Sequence, residues 1–129
     1  MSAPAHLRYT NDHEWACWNA DDTVSVGITD YAQSALGDVV YVDLPRIGRA
    51  LAAHEAFGVV ESTKSVSDLF SPLAGTVAAV NAELDVAPET LNKDCYGAGW
   101  IMTLSGASRA DFDALLDAAA YDALVASLG

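Results

Sequence analysis

The side chains with reactive potential are few and unevenly placed. Only two lysines occur, Lys64 and Lys93, against 18 aspartates and glutamates. Lys64 lies in a polar gap, Glu61-Ser62-Thr63-Lys64-Ser65, between an apolar run at 56–60 and a β-type pattern at 66–70. A lysine there projects from a tight turn, away from the core, with a strand on either side to fix its position. An unperturbed ammonium is a poor nucleophile at neutral pH. The position therefore suits modification by another enzyme better than catalysis by its own fold, although an edge lysine that discourages strand pairing gives the same pattern.

The other candidate sets fall short of a site. Cys17 and Cys95 are too few and too scattered for a disulfide scaffold or a zinc site. His13-Glu14 begins like the zinc-protease pattern H-E-x-x-H, but Cys17 stands where the second histidine is needed. A metal needs clustered, deprotonated donors, so no metal is expected and the dispersed histidines read as buried or solvated side chains. There is no Gly-rich phosphate loop and no G-x-S-x-G nucleophile elbow. So many carboxylates form close pairs by chance, and nothing marks an environment that would split their pKa values for acid–base work.

The frame that must hold these residues reads as one domain, residues 1–129, with a hydrophobic fraction of 52% that can fill a single core. Six basic residues against 18 acidic ones leave a net charge of −12. Such a surface repels phosphate backbones and anionic membranes, which argues against nucleic-acid and membrane partners. No apolar run approaches the roughly 18 residues of a spanning helix. Residues 1–8 carry one arginine and no apolar stretch, unlike a signal or transit peptide. The expected setting is the bacterial cytoplasm; a mature mitochondrial protein would read the same way.

Most of the chain reads as strands broken by turn residues. Residues 13–18 alternate and hold two tryptophans, Asn19-Ala20-Asp21-Asp22 is turn chemistry, and Val24, Val26 and Ile28 recur at period two. That pattern predicts a hairpin. Thr29 is expected to cap a short helix through Leu36, stopped by Gly37. Further strands are expected at 39–42, ended by Pro45, and on both sides of Lys64, with Val60 and Val66 turned towards the interior or its edge. Ser71-Pro72-Leu73-Ala74-Gly75 breaks the chain before a strand at 76–80. Pro88 is placed as the first residue of a one-turn helix, and Trp100-Ile101-Met102-Thr103-Leu104 is the last strand. Ser108 with Asp111 resembles a capping box. Phe112, Leu115, Leu116 and Ala119, then Tyr121, Leu124, Val125 and Leu128, predict two short helices whose registers part at 119–121. The whole is mainly β, an α+β chain with a helical tail.

The run Gly58-Val59-Val60-Glu61-Ser62-Thr63-Lys64-Ser65-Val66-Ser67-Asp68-Leu69-Phe70-Ser71-Pro72 resembles the lipoylation segment of the glycine cleavage system H-protein family. In that family a lysine in an E-S-x-K context at a hairpin tip carries lipoic acid in amide linkage. His13-Glu14-Trp15 is similar to the family's N-terminal signature. Gly27-Ile28-Thr29-Asp30-Tyr31-Ala32-Gln33, Leu36-Gly37-Asp38-Val39-Val40, Gly75-Thr76-Val77, Val80-Asn81, Pro88-Glu89, Leu91-Asn92, Tyr96-Gly97 and Gly99-Trp100 follow in family order. The similarity covers about residues 7–128, one domain's length. Three positions depart from it: Cys95 replaces a usual proline, Arg49 a common acidic residue after a glycine, and Ala98 another acidic residue. None lies in the lysine hairpin.

The resemblance implies a barrel-sandwich hybrid of two antiparallel sheets with short helices and a C-terminal helical tail, and a monomeric carrier with no catalysis of its own. Lys64 would be the lipoyl attachment site. Its arm would accept an aminomethyl group from the pyridoxal-phosphate enzyme glycine decarboxylase and deliver it to the tetrahydrofolate-dependent aminomethyltransferase. Dihydrolipoyl dehydrogenase would reoxidise the resulting dithiol. Glu61, Ser62 and Thr63 are expected to act in recognition by the lipoate-attaching enzyme, with turn formation as the alternative for all three. Glu14 and Asp68 would lie beside a cleft where the loaded arm docks, holding its cationic amine through charge-assisted hydrogen bonds. An exposed pair of that kind contributes only about 0.2–1 kcal/mol, so docking there is weak unless water is excluded. Biotin attachment is disfavoured because Thr63 and Ser65, not methionines, flank Lys64. The lipoyl domains of 2-oxo acid dehydrogenases lack a counterpart of the His13-Glu14-Trp15 strand and of the C-terminal helices. An H-protein-like regulator that passes lipoate to other proteins is the alternative from a different class.

Overall fold

The structure, a computed structural model, describes residues 3–128. Met1, Ser2 and Gly129 belong to the expected domain of residues 1–129 and lie outside the described residues; so does the start of the segment read for a leader.

Two antiparallel sheets form the body. The larger takes β1 (Arg8–Tyr9), β2 (Glu14–Trp18), β3 (Val24–Ile28), β9 (Met102–Ser105), β8 (Gly75–Val80) and β5 (Ala50–Leu51) in that spatial order. The smaller takes β4 (Val39–Asp43), β6 (Ala56–Ser62) and β7 (Val66–Phe70). This is the expected barrel-sandwich architecture. Period-two patterning is its cause: Val24, Val26 and Ile28 all point inward and are buried, as are Val42, Val60, Leu69, Val77, Met102 and Leu104. Each such side chain contributes about 1.5–3 kcal/mol on leaving water. Gly58 lets β6 approach β4, because a Cβ there would collide with the Asp43 carbonyl.

The helices occupy the margins: α1 (Asp30–Leu36), α2 (Glu83–Val86), α3 (Thr90–Lys93), α4 (Arg109–Asp113) and α5 (Ala118–Leu128). As expected, Thr29 caps α1, its Oγ1 accepting from the Ala32 N–H at 3.2 Å. Gly37, at φ 80°, ends it by donating to the Gln33 carbonyl. Helix α5 lies over a second apolar cluster of Leu7, Tyr9, Trp15 and Tyr121. Among the described residues, no helix is long and apolar enough to cross a membrane.

Several local expectations are corrected. Pro88 is not the first residue of its helix: α3 starts at Thr90, and Pro88 lies in the turn before it, its carbonyl accepting from Leu91. Helix α2 and the two-residue strands β1 and β5 carry too few residues for a periodic signal. The last strand begins at Met102 rather than Trp100. The two tail helices exist, but the break falls at 114–117, because Leu116 leaves helical geometry to exchange backbone hydrogen bonds with Tyr9. Val60 is 1% exposed as expected, whereas Val66 is 66% exposed. Val66 stands opposite Glu61 on the outer face of the small sheet, one register step from the buried row.

Candidate functional site

Strands β6 and β7 pair as far as Glu61 opposite Val66, leaving 63–65 as the tip. Ser62 builds the turn. Its N–H donates to the Ser65 carbonyl at 2.8 Å, and its Oγ accepts from the N–H groups of Ser65 at 3.1 Å and Lys64 at 3.3 Å. A serine hydroxyl that captures backbone donors two and three residues ahead stabilises the tip without help from the core. The Thr63 N–H donates to the Asp38 carbonyl at 3.0 Å, which pins the tip to the link between α1 and β4. A Cβ on Gly37 would sit 3.4 Å from Lys64 Cε, so the lysine stem runs beside the end of α1.

Lys64 is exposed. The ion pairs found among the described residues, Arg49 with Glu55 and Arg109 with Asp113, do not involve it. Glu61 is half-buried on β6 between Tyr41 and Val66, and Thr63 is exposed. Of the three residues expected to mark the lysine for modification, Ser62 has a visible turn-forming part, Thr63 contributes its backbone, and Glu61 offers an outward side chain.

Beside the tip opens a cleft of about 330 Å³. Ile28, Ala32, Leu36, Val60 and Leu69 supply its apolar wall, and His13, Glu14 and Asp68 face it as polar groups. Glu14 and Asp68 therefore meet at one cavity although 54 positions separate them in the chain (68 − 14). Their environments differ. Asp68 is exposed, whereas Glu14 is 3% exposed. Glu14 accepts from Thr10 Oγ1 at 2.8 Å and from the Phe70 N–H at 3.4 Å. Burial pushes its pKa from the ordinary 4.5 up to about 8, against the lowering effect of the Thr10 hydrogen bond. Glu14 thus keeps its proton to a higher pH than an ordinary carboxyl.

A family profile described as glycine cleavage H-protein matches residues 7–127. The chain belongs to the glycine cleavage H-protein family. The glycine cleavage system H protein of Opitutus terrae is 56% identical over 124 residues, covering 96% of this chain and 98% of that protein. That of Chromohalobacter salexigens is also 56% identical over 124 residues, with 96% and 95% covered. The crystal structure of a glycine cleavage system H protein from Mycobacterium marinum superposes with a TM-score of 0.86 at 41% identity, covering 96% of this chain and 99% of that one.

The three departures from the H-protein pattern are absorbed locally. Arg49 pairs with Glu55 at 3.0 Å and donates to the Ala56 carbonyl. The Cys95 carbonyl accepts from Trp15 Nε1 at 2.9 Å, while burial pushes its thiol up to about 11. That shift disfavours the thiolate, the reactive form of a cysteine. Ala98 donates its N–H to Asp94 and offers its carbonyl to Asn81.

Sequence reasoning missed the supports of the cleft. Thr10 holds Glu14, and Tyr31 packs its ring 4.6 Å from that of His13. His13 Nδ1 lies 2.8 Å from the Tyr121 hydroxyl, which lies 2.7 Å from Thr29 Oγ1. These residues come from three separate segments, residues 10–14, residues 29–31 and the tail helix, so no local spacing links all of them. The one sequence signal was Tyr121 on the apolar face of the tail helix.

Proposed function

We propose that this chain is the lipoyl carrier of a glycine cleavage system, a single domain that works as a monomer in the cytoplasm and has no catalytic centre of its own. The observation that carries the reading is an exposed Lys64 on a Ser62-braced tip beside a cleft that pairs an apolar wall with one buried and one exposed carboxyl. Those residues fit lipoic acid: Lys64 offers an accessible amine for an amide bond, and the apolar wall suits an alkyl arm. When bound, the lipoyl group supplies a disulfide that accepts an aminomethyl unit and a dithiol once that unit has left.

The chain's own residues do the rest by position. The β6–β7 hairpin carries the attachment point at a fixed, solvent-facing place that the decarboxylase, the aminomethyltransferase, the dihydrolipoyl dehydrogenase and the lipoate-attaching enzyme can each reach. Tethering replaces free diffusion between those enzymes by a local search. Glu61, Ser62 and Thr63 present the lysine to the attaching enzyme, Ser62 chiefly through the turn. Glu14 and Asp68 receive a cationic cargo: an arriving ammonium favours the ionised form of Glu14, which then adds a charge-assisted hydrogen bond in a site shielded from water. A neutral Glu14 leaves an uncharged arm free to swing out.

The test is mass spectrometry of the protein isolated from its native source. One lipoyl group on the peptide that contains Lys64 is expected. A biotinyl group there, or a native protein unmodified at Lys64 under conditions of active glycine degradation, overturns the reading.

A further inference from the structure

His13 contributes to the cleft wall, and its backbone sits at φ 67°, an unfavourable region for a residue with a Cβ. The fold holds it there with three contacts: its N–H donates to the Thr10 carbonyl, its carbonyl accepts from the Thr29 N–H, and its ring packs on Tyr31. Its Nδ1 meets the Tyr121 hydroxyl, which meets Thr29 Oγ1.

Donor counting gives this chain of contacts a direction. Thr29 is 0% exposed and Tyr121 2%. Thr29 Oγ1 already accepts from Ala32. Its hydroxyl proton still needs an acceptor, and among the described residues the Tyr121 oxygen is the one within reach. Thr29 therefore donates to Tyr121. Tyr121 must then donate to His13 Nδ1. An imidazole whose Nδ1 accepts is neutral and carries its proton on Nε2. Protonating His13 would force the Tyr121 hydroxyl to turn round and leave the buried Thr29 proton without a partner.

We propose that Thr29 and Tyr121 are positioning residues of the arm cleft: through two hydrogen bonds they lock His13 as the neutral Nε2–H tautomer, so that a cationic cargo meets no opposing charge in the wall beside Glu14 and Asp68. The tail helix α5 thereby sets the electrostatics of a cavity that it does not itself line. The groups around the imidazole are Asp12 and Glu14 on its own segment, Tyr31 on α1, Asp68 on β7 across the cleft, and Tyr121 on α5. Asp12 favours the charged imidazole, and burial disfavours it more strongly, lowering its pKa from the ordinary 6.5. The Tyr121 donor acts in the same direction as burial. The proposal rests on the carrier reading for the identity of the cargo, and not for the state of the imidazole.

The test is ¹⁵N NMR of the imidazoles in the full-length protein, followed through a pH titration. Wild-type His13 is expected as neutral Nε2–H at pH 7, titrating below an ordinary histidine. In Tyr121→Phe, which keeps the ring stacked 4.7 Å from Tyr9, His13 should titrate at a higher pH than in wild type. Thr29→Ser keeps both hydroxyl functions and should behave as wild type. An Nδ1–H tautomer or a cationic His13 in the wild type at pH 7 overturns the proposal, whether or not Tyr121→Phe folds. With the lipoylated proteins loaded with the aminomethyl group, Tyr121→Phe should release it severalfold faster than wild type at pH 6 and at a similar rate at pH 8. Equal rates at both pH values overturn the functional half. If Lys64 carries no lipoyl group, the carrier reading fails while the imidazole spectra remain decisive.

Discussion

The tip of the β6–β7 hairpin and the wall of the cleft beside it are built on opposite principles. At the tip, Lys64 is exposed and its turn is held by the Ser62 hydroxyl and N–H within the turn and by one backbone contact to Asp38. In the wall, Glu14 is buried, accepts one hydrogen bond from nearby Thr10 and one from distant Phe70, and has its pKa pushed up to about 8. On the proposed reading, a group that other enzymes reach is left with few ties, and a group that receives an arriving charge is kept out of water, where each electrostatic contact is worth more. The contrast separates substitutions that remove function without touching stability from those that change both.

The sharpest break comes from Lys64→Arg. Arginine keeps the charge but cannot form the lipoyl amide, so attachment by the lipoate-attaching enzyme should vanish. Thermal unfolding should move by no more than a surface substitution allows, about 0.5 kcal/mol. Lys93→Arg, on α3 and away from the cleft, should leave both attachment and stability as they are. Loss of stability in Lys64→Arg would mean that the tip is tied into the fold after all.

The next effect belongs to Glu14. Its folded-state pKa is raised, so between about 4.5 and 8 the folded protein holds a proton that the unfolded chain has lost. Stability from this group is fully present below 4.5 and falls as pH rises through 8, by a few kcal/mol across the window. Urea unfolding at a series of pH values should show that slope in the wild type and a flatter one in Glu14→Gln. Parallel curves would place Glu14 in water. Glu14→Ala and Asp68→Ala should both speed loss of the aminomethyl group from the loaded protein, with Glu14→Ala the larger effect because its contact is the drier one. Unchanged rates in both would remove the docking role.

The smallest effect is at Ser62. Ser62→Ala removes the hydroxyl that accepts from Lys64 and Ser65, at a cost of about 0.5–1.5 kcal/mol. Lipoylation should slow while carrier function of the protein already lipoylated stays intact. Slowed lipoylation with no change in stability would instead assign Ser62 to direct recognition.

Strong local patterns carried most of the fold into the sequence. Val24, Val26 and Ile28 alternate because one face of β3 is buried, and Thr29 and Gly37 mark both ends of α1 by their capping chemistry. What could not be read there depends on distant partners. Leu116 follows helical spacing yet pairs with Tyr9, a tertiary contact that outweighs local preference. The Lys64 tip was legible because its cues are adjacent: a polar gap, a serine and a lysine between two strands. From the residues alone the cleft wall was a list of acids; only the family resemblance implied that Glu14 and Asp68 share a cleft. Glu14 owes its burial and raised pKa to a cavity completed by Phe70, and His13 owes its state to Tyr121 on the tail helix. Neither separation leaves a periodic trace.

The central claim is that Lys64 carries the working arm of a glycine cleavage system. Glycine–bicarbonate exchange by glycine decarboxylase tests it most directly, with lipoylated wild type, unlipoylated wild type and Lys64→Arg treated with the attaching enzyme compared as the carrier. The account predicts exchange with the lipoylated wild type and only background with the other two. Full exchange with Lys64→Arg, or none with protein lipoylated at Lys64, would contradict it.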